Sequence, residues 1–254
     1  KVSGLTKNFG GLCAVSNVNM EINEQELIGL IGPNGAGKTT LFNLLTGVYE
    51  PSEGKIELNV DGAIKEIGGM KPYAVTRMGL ARTFQNIRLF KNLTALDNVK
   101  IAMHKNIKYG TLQAILRTPN YYREEERVEQ QAEELLKVVH LYDKRNELAS
   151  NLPYGEQRRL EIARALATQP KVLFLDEPAA GMNPQETADL TRLIHRIKDD
   201  FHLTVILIEH DMSLVMTICE RIYVLDYGKC IANGVPEVIK NDKRVIKAYL
   251  GEDI

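Results

Sequence analysis

Residues 32–40 read Gly-Pro-Asn-Gly-Ala-Gly-Lys-Thr-Thr, a mixture of flexible backbone, one cation and two hydroxyls suited to enclosing a chain of phosphates. Gly32, Gly35 and Gly37 let the backbone wrap closely where a Cβ would clash or demand a forbidden φ. The N–H groups along Asn34, Gly35, Ala36, Gly37, Lys38, Thr39 and Thr40 then turn inward, and a helix starting there offers its positive end to the anion. Lys38 can bridge the β- and γ-phosphates, while the Thr39 hydroxyl can complete a Mg²⁺ shell. The pattern implies a bound nucleoside triphosphate. A second group of candidates is acidic. Asp176 and Glu177 follow the apolar run 172–175. Asp176 suits holding Mg²⁺ through water, and Glu177 suits orienting and polarising an attacking water. His210 comes just after another apolar run, 205–208, where its imidazole could reach a γ-phosphate oxygen and Glu177. Gln85, a neutral side chain after 81–84, could touch Mg²⁺ or the lytic water.

Such groups act together only if rigid elements bring them to one place. The phosphate loop lies between an apolar run at 27–31 and another at 41–45, the strand-then-helix setting it requires. The run 172–175 is apolar on both faces, as a central parallel strand must be. Acidic residues at the carboxyl end of such a strand face the crevice where parallel sheets bind ligands. Strands are also expected over 55–60, 205–208 and 221–225, and helices over 155–167, 185–200 and 211–219. The first stretch looks antiparallel, residues 61–72 read as a surface hairpin or loop, and 236–250 as one or two small helices. From 94 to 146 the texture changes. Helices are expected at 94–104 and 121–139, the latter with Val128, Ala132, Leu135 and Val139 in one apolar stripe. The expected organisation is an α/β core formed by 1–90 and 155–254, interrupted by a helical subdomain at 91–154.

Composition narrows the class. The 254 residues carry a formal net charge of -1, without the basic excess of a nucleic-acid footprint. Cys13, Cys219 and Cys230 lie far apart, which fits a reducing compartment better than a zinc site or disulfide framework. Five histidines without a paired spacing give no reason for a transition-metal site. No apolar run approaches the ~18 to 20 residues of a membrane span, so membrane association is expected through a partner. Leu152-Pro153-Tyr154-Gly155-Glu156-Gln157 opens a helix, where the Tyr154 and Gly155 N–H groups can make a second anion-binding end or the stretch can be a plain loop-to-helix junction. Arg158, Arg159 and Arg164 on that helix read as a solvated basic face.

In this order and at these distances, the motifs resemble the ATPase subunits of ABC transporters over essentially all 254 residues. The resemblance implies a P-loop NTPase, RecA-like α/β core with an antiparallel β subdomain and an inserted helical subdomain. Residues 32–39 resemble the Walker A loop and 173–177 the Walker B strand, with Glu177 as catalytic glutamate. Gln85 falls at the Q-loop, His210 at the switch histidine, and Phe9 where an aromatic ring stacks on adenine. Tyr154, Gly155 and Glu156 fall in the family signature, which implies contact with ATP. There Pro153 and Tyr154 replace the usual serine and first glycine, and Asn183 replaces the usual D-loop aspartate.

The implied mechanism closes two such subunits head to tail around two ATP molecules with Mg²⁺. The implied partners are transmembrane permease subunits, a second ATPase subunit (a related chain or a second copy) and, indirectly, a periplasmic or extracellular substrate-binding protein. The implied location is the cytoplasmic face of the cell membrane, as a peripheral subunit, with no nucleic acid. Residues 82–90, 151–161 and 176–181 and the ending Ala248-Tyr249-Leu250-Gly251-Glu252 resemble the branched-chain amino acid uptake ATPases of the LivG type. The rival resemblance is to the lipopolysaccharide-export ATPase, whose ending is similar. A soluble ABC ATPase acting on nucleic acid is a further alternative, disfavoured by the near-neutral charge.

Overall fold

The structure is a computed structural model that describes residues 1–60, 62–107 and 109–250, so Gly251 and Glu252 of the quoted ending lie outside the described residues. In chain order the first elements are β1 (Val2–Phe9), β2 (Leu12–Met20), β3 (Leu27–Ile31), α1 (Lys38–Leu45), β4 (Glu53–Val60), β5 (Ala63–Glu66), α2 (Pro72–Arg77) and β6 (Leu80–Arg82). Then come α3 (Ala95–Ala102), α4 (Thr111–Ile115), α5 (Pro119–Val138), α6 (Tyr154–Leu166), β7 (Val172–Asp176), α7 (Pro184–Asp200) and β8 (Thr204–Ile208). The chain continues through α8 (Met212–Ile218), β9 (Arg221–Asp226), β10 (Lys229–Gly234), α9 (Pro236–Lys240) and α10 (Lys243–Leu250).

These elements form two units. The first comprises Lys1–Arg82, Lys171–Glu177 and the chain from Ile194 onward; the second comprises Thr83–Pro170 and Pro178–Leu193. The first unit holds a six-stranded sheet in the order β10-β9-β3-β8-β7-β6 and a four-stranded sheet in the order β2-β1-β4-β5. In the larger sheet β3 pairs in parallel with β8 and β9, β8 with β7, and β7 with β6, while β10 is antiparallel to β9. Every residue of β3 and β8 is buried, which explains why both strands are continuous apolar runs rather than alternating ones. The smaller sheet is antiparallel throughout. Leu30, Phe42, Phe174, Ile206 and Tyr223 belong to one core, in which the Phe42 and Phe174 rings meet edge-on at 5.1 Å.

The second unit is helical, with α3, α5 and α6 packed against one another. On α5 and just beyond it, Val128, Ala132, Leu135 and Val139 are buried, so the 3.6-residue stripe faces the inside of the bundle. Thr94 starts α3 by accepting a hydrogen bond from the Asp97 N–H at 3.0 Å.

Several elements differ from the sequence reading. The helix expected over 94–104 ends at Ala102 and tightens into a 3₁₀ turn, Met103–Asn106. The hairpin expected in 61–72 supplies β5, but Pro72 at N1 then starts the short helix α2. β10 was not anticipated, because its six residues carry only three apolar side chains and lie at a sheet edge. The strand before Gln85 ends at Arg82, so Gln85 stands three residues past the strand rather than at its tip. No described helix is long and apolar enough to cross a membrane.

Candidate functional site

Three parallel strands of the first unit place the reactive groups. β3 runs directly into the phosphate loop, β7 into Asp176 and Glu177, and β8 into Glu209 and His210. Because these strands are parallel and in register, with Asp176 opposite Ile208 and Ile208 opposite Leu30, their carboxyl ends converge at one edge. Gly37, at φ 97°, is the N-cap of α1, and a Cβ there would meet the Ala14 carbonyl oxygen at 2.5 Å. A Cβ on Gly32 would meet the Leu225 oxygen at 2.1 Å, so the loop is packed tightly at both ends. α1 has neither a side-chain cap nor an acidic residue in its first turn. Its start therefore keeps its positive end for a ligand.

Lys38 is buried, and its Nζ donates to the carbonyl oxygens of Gly32 at 2.6 Å and Pro33 at 2.9 Å. Burial holds its ammonium below the usual 10.5, and the Glu177 carboxylate opposes that shift. Glu177 accepts or shares a hydrogen bond with His210 Nε2 across 2.7 Å, and its own N–H donates to the Ile208 oxygen at 2.9 Å. It sits at φ 47°, in the left-handed region that a non-glycine residue occupies only under constraint. His210 is held by the turn into α8, where the Asp211 carboxylate caps the Ser213 and Leu214 N–H groups. Asp176 is buried and paired with Arg82 Nη2 at 3.0 Å. Arg82 also donates from Nη1 to Asn43 Oδ1 at 2.8 Å and Thr46 Oγ1 at 3.0 Å. Thr39 is exposed on the first turn of α1. Phe9 is exposed at the end of β1, edge-on to Tyr49 at 5.2 Å, with Lys7 Nζ 5.2 Å from its ring centre.

These residues fit magnesium nucleotide. The helix start free of caps and the buried cation suit the phosphates, while the oxygens of Thr39 and Asp176 suit Mg²⁺, which takes a few protein oxygens plus phosphate and water.

The remaining candidates belong to the second unit. α6 begins at Tyr154 after Pro153, with no side-chain cap. Glu156 in its first turn would oppose a bound anion, but Lys144 Nζ donates to both of its oxygens at 2.8 Å and offsets the charge. Gly155 leaves room for α7, since a Cβ would stand 3.1 Å from Glu186 Oε1. Asn183 starts α7 in a reciprocal cap: its Oδ1 accepts from the Glu186 N–H at 3.0 Å and its N–H donates to Glu186 Oε2 at 3.0 Å. Asparagine caps as well as aspartate, so that departure keeps the local structure.

The basic-face reading of α6 fails for Arg158, which is fully buried. Its Nη2 donates to the Gln85 carbonyl at 2.8 Å and the Tyr154 hydroxyl at 3.1 Å, and its Nη1 to the Phe84 carbonyl at 2.6 Å. Arg164 is also partly desolvated, and burial lowers its pKa. The helical period was the available signal, because Arg158 shares a face with Ile162 and Ala165.

A family model for the ABC transporter matches residues 15–180. The chain belongs to the ABC transporter ATP-binding family. A second model, described as the branched-chain amino acid ATP-binding cassette transporter, matches residues 229–254. This ABC subunit is 49% identical over 251 residues to the high-affinity branched-chain amino acid transport ATP-binding protein LivG of Escherichia coli, covering 99% of this chain and 97% of that one. The lipopolysaccharide export system ATP-binding protein LptB of Escherichia coli is 35% identical over 249 residues, 98% of this chain and 95% of that one. The identities favour the LivG kinship over the rival resemblance. The crystal structure of the ADP conformation of MJ1267, an ATP-binding cassette of an ABC transporter, superposes with a TM-score of 0.83 at 29% identity, covering 99% of this chain and 98% of that one. The RecA-like core, antiparallel sheet and helical subdomain are thus those of an ABC cassette.

Two contacts of this cassette escaped the sequence reading. The sequence marks Arg82 only within a motif, because its partner Asp176 lies 94 residues further along the chain. Tyr249, on the last helix, faces the phosphate loop. Burial pushes its phenol up, and the Gly32 N–H opposes this by donating to its oxygen.

Proposed function

We infer that this subunit hydrolyses ATP to energise high-affinity import of leucine, isoleucine and valine. What supports the reading above all is the His210–Glu177 pair, 2.7 Å apart on strand ends beside the phosphate loop. The kinship with LivG supports the choice of cargo. Lys38 turns from its two carbonyls to the β- and γ-phosphates, exchanging dipoles for full charges. The N–H groups of Asn34 to Thr40 cradle the same anion, and Phe9 supports the adenine. Glu177 orients and polarises the lytic water, with His210 holding the carboxylate and reaching the γ-phosphate. Mg²⁺, held through Thr39, Asp176 and Gln85, would neutralise charge on the phosphate oxygens.

The second helix start, at Tyr154, Gly155 and Glu156, serves the nucleotide of an opposing ATPase subunit, either a related chain or a second copy. Residues 91–154 form the inserted lobe that meets the transmembrane permease subunits, which in turn receive cargo from an external binding protein. The subunit works at the cytoplasmic face of the membrane, held there by those partners.

The test is steady-state ATP hydrolysis by the purified subunit, together with ATP-dependent leucine uptake in vesicles that also carry its membrane subunits. Glu177→Gln should keep ATP binding and lose roughly 10²- to 10⁴-fold in hydrolysis, the usual worth of a general base. Unchanged turnover in that variant, or uptake indifferent to it, overturns the reading.

A further inference from the structure

Arg158 is the largest fully buried side chain in the second unit, and it carries a charge. Burying a guanidinium is tolerable only when its donors are matched. Here two of its four partners come from one short stretch of backbone. Besides the carbonyls of Phe84 and Gln85, Arg158 Nη1 meets Glu161 Oε2 at 2.9 Å. Glu161 in turn accepts from the Phe84 N–H and the Arg88 N–H, each at 3.3 Å. Residues 84–88 are thus gripped by their carbonyls from Arg158 and by their N–H groups from Glu161. The remaining partner of Arg158 is the Tyr154 hydroxyl, on a residue 45% exposed. Tyr154 is thus one exposed end of the network, and Gln85 is the other. A glycine at this position, as in the usual family signature, has no acceptor to offer. The Arg158 Nε is buried with no partner, so the guanidinium is fastened along its Nη edge alone.

We propose that Arg158 is a positioning residue, through which the placement of Gln85 depends on Tyr154 at the opposite end of the network. The inference rests on the function proposed above, since it needs Gln85 to serve the nucleotide. When an opposing subunit's nucleotide presses on Tyr154, the phenol moves, Arg158 turns with it, and the Gln85 carbonyl follows. Tyrosine in the signature is then a lever in place of a missing serine contact. A lysine at 158 cannot replace the arginine, because a point charge cannot hold two carbonyls and a phenol in one plane.

The decisive variant is Tyr154→Phe, which keeps the ring and removes only the acceptor. Its kcat for ATP should fall roughly three- to tenfold, the worth of one hydrogen bond to a charged group, with KM unchanged. In a Gln85→Ala background the same change should alter kcat by less than about twofold, since no side chain remains to be placed. Hydrogen exchange in nucleotide-free protein supplies a readout independent of turnover: the amides of 84–88 should exchange faster in Tyr154→Phe than in the parent. Equal kcat losses with and without the Gln85 side chain, or unchanged exchange at 84–88, overturns the proposal. A parent protein that hydrolyses no ATP would instead sink the proposed function, while exchange would still report on the linkage.

Discussion

Lys38 shows how the site stores binding energy at the scale of a single side chain. Its ammonium is out of water and satisfied by two carbonyl dipoles, which compensate a charge less well than phosphate oxygens do. Burial therefore holds its pKa below 10.5 in the nucleotide-free protein, and a triphosphate will raise it again. The sign follows from linkage. The ligand prefers protonated Lys38, so affinity is full below the lowered pKa and declines as pH rises through it. Titration calorimetry of magnesium nucleotide should show proton uptake on binding between the lowered value and about 10.5, and Lys38→Ala should remove it. Affinity that stays flat across this alkaline range would contradict the assignment. The loop and the acidic pair were legible in the sequence because phosphate chemistry dictates residue types at fixed spacing. Arg158 was not, because two of its four partners are backbone carbonyls 73 and 74 residues away, which leave no mark in side-chain pattern.

At the scale of elements, Arg82 ties α1 to the sheet. Its guanidinium joins Asn43 and Thr46 on and just after the helix behind the phosphate loop to Asp176 at the end of β7. Removing one partner of a buried pair strands the other charge. Arg82→Met should therefore cost about 3 kcal/mol in urea unfolding, and adding Asp176→Asn should recover part of that loss. A loss below about 0.5 kcal/mol would mean that water already screens the pair. The buried strands β3, β7 and β8 were readable because central parallel strands are apolar on both faces. β10 was hidden for the opposite reason: an edge strand with exposed and half-buried positions has little periodicity to display. Likewise α2 is too short for a 3.6-residue stripe, and only Pro72 marked its start.

At the scale of the whole molecule, the net charge is -1 and no described helix is long and apolar enough to cross a membrane. The stability of the chain also bears on its catalysis through Glu177. A left-handed glutamate costs about 1 kcal/mol relative to glycine, and in a protein of this size that shifts the melting temperature by about 2–4 °C. Glu177→Gly should accordingly melt higher than Glu177→Gln, although the proposed role has both variants losing most ATP turnover; equal melting curves would show the turn to be unstrained. Evolutionary drift toward an inert cassette would then meet no resistance from heat or proteolysis. Only selection on turnover itself would keep a carboxylate at that bend.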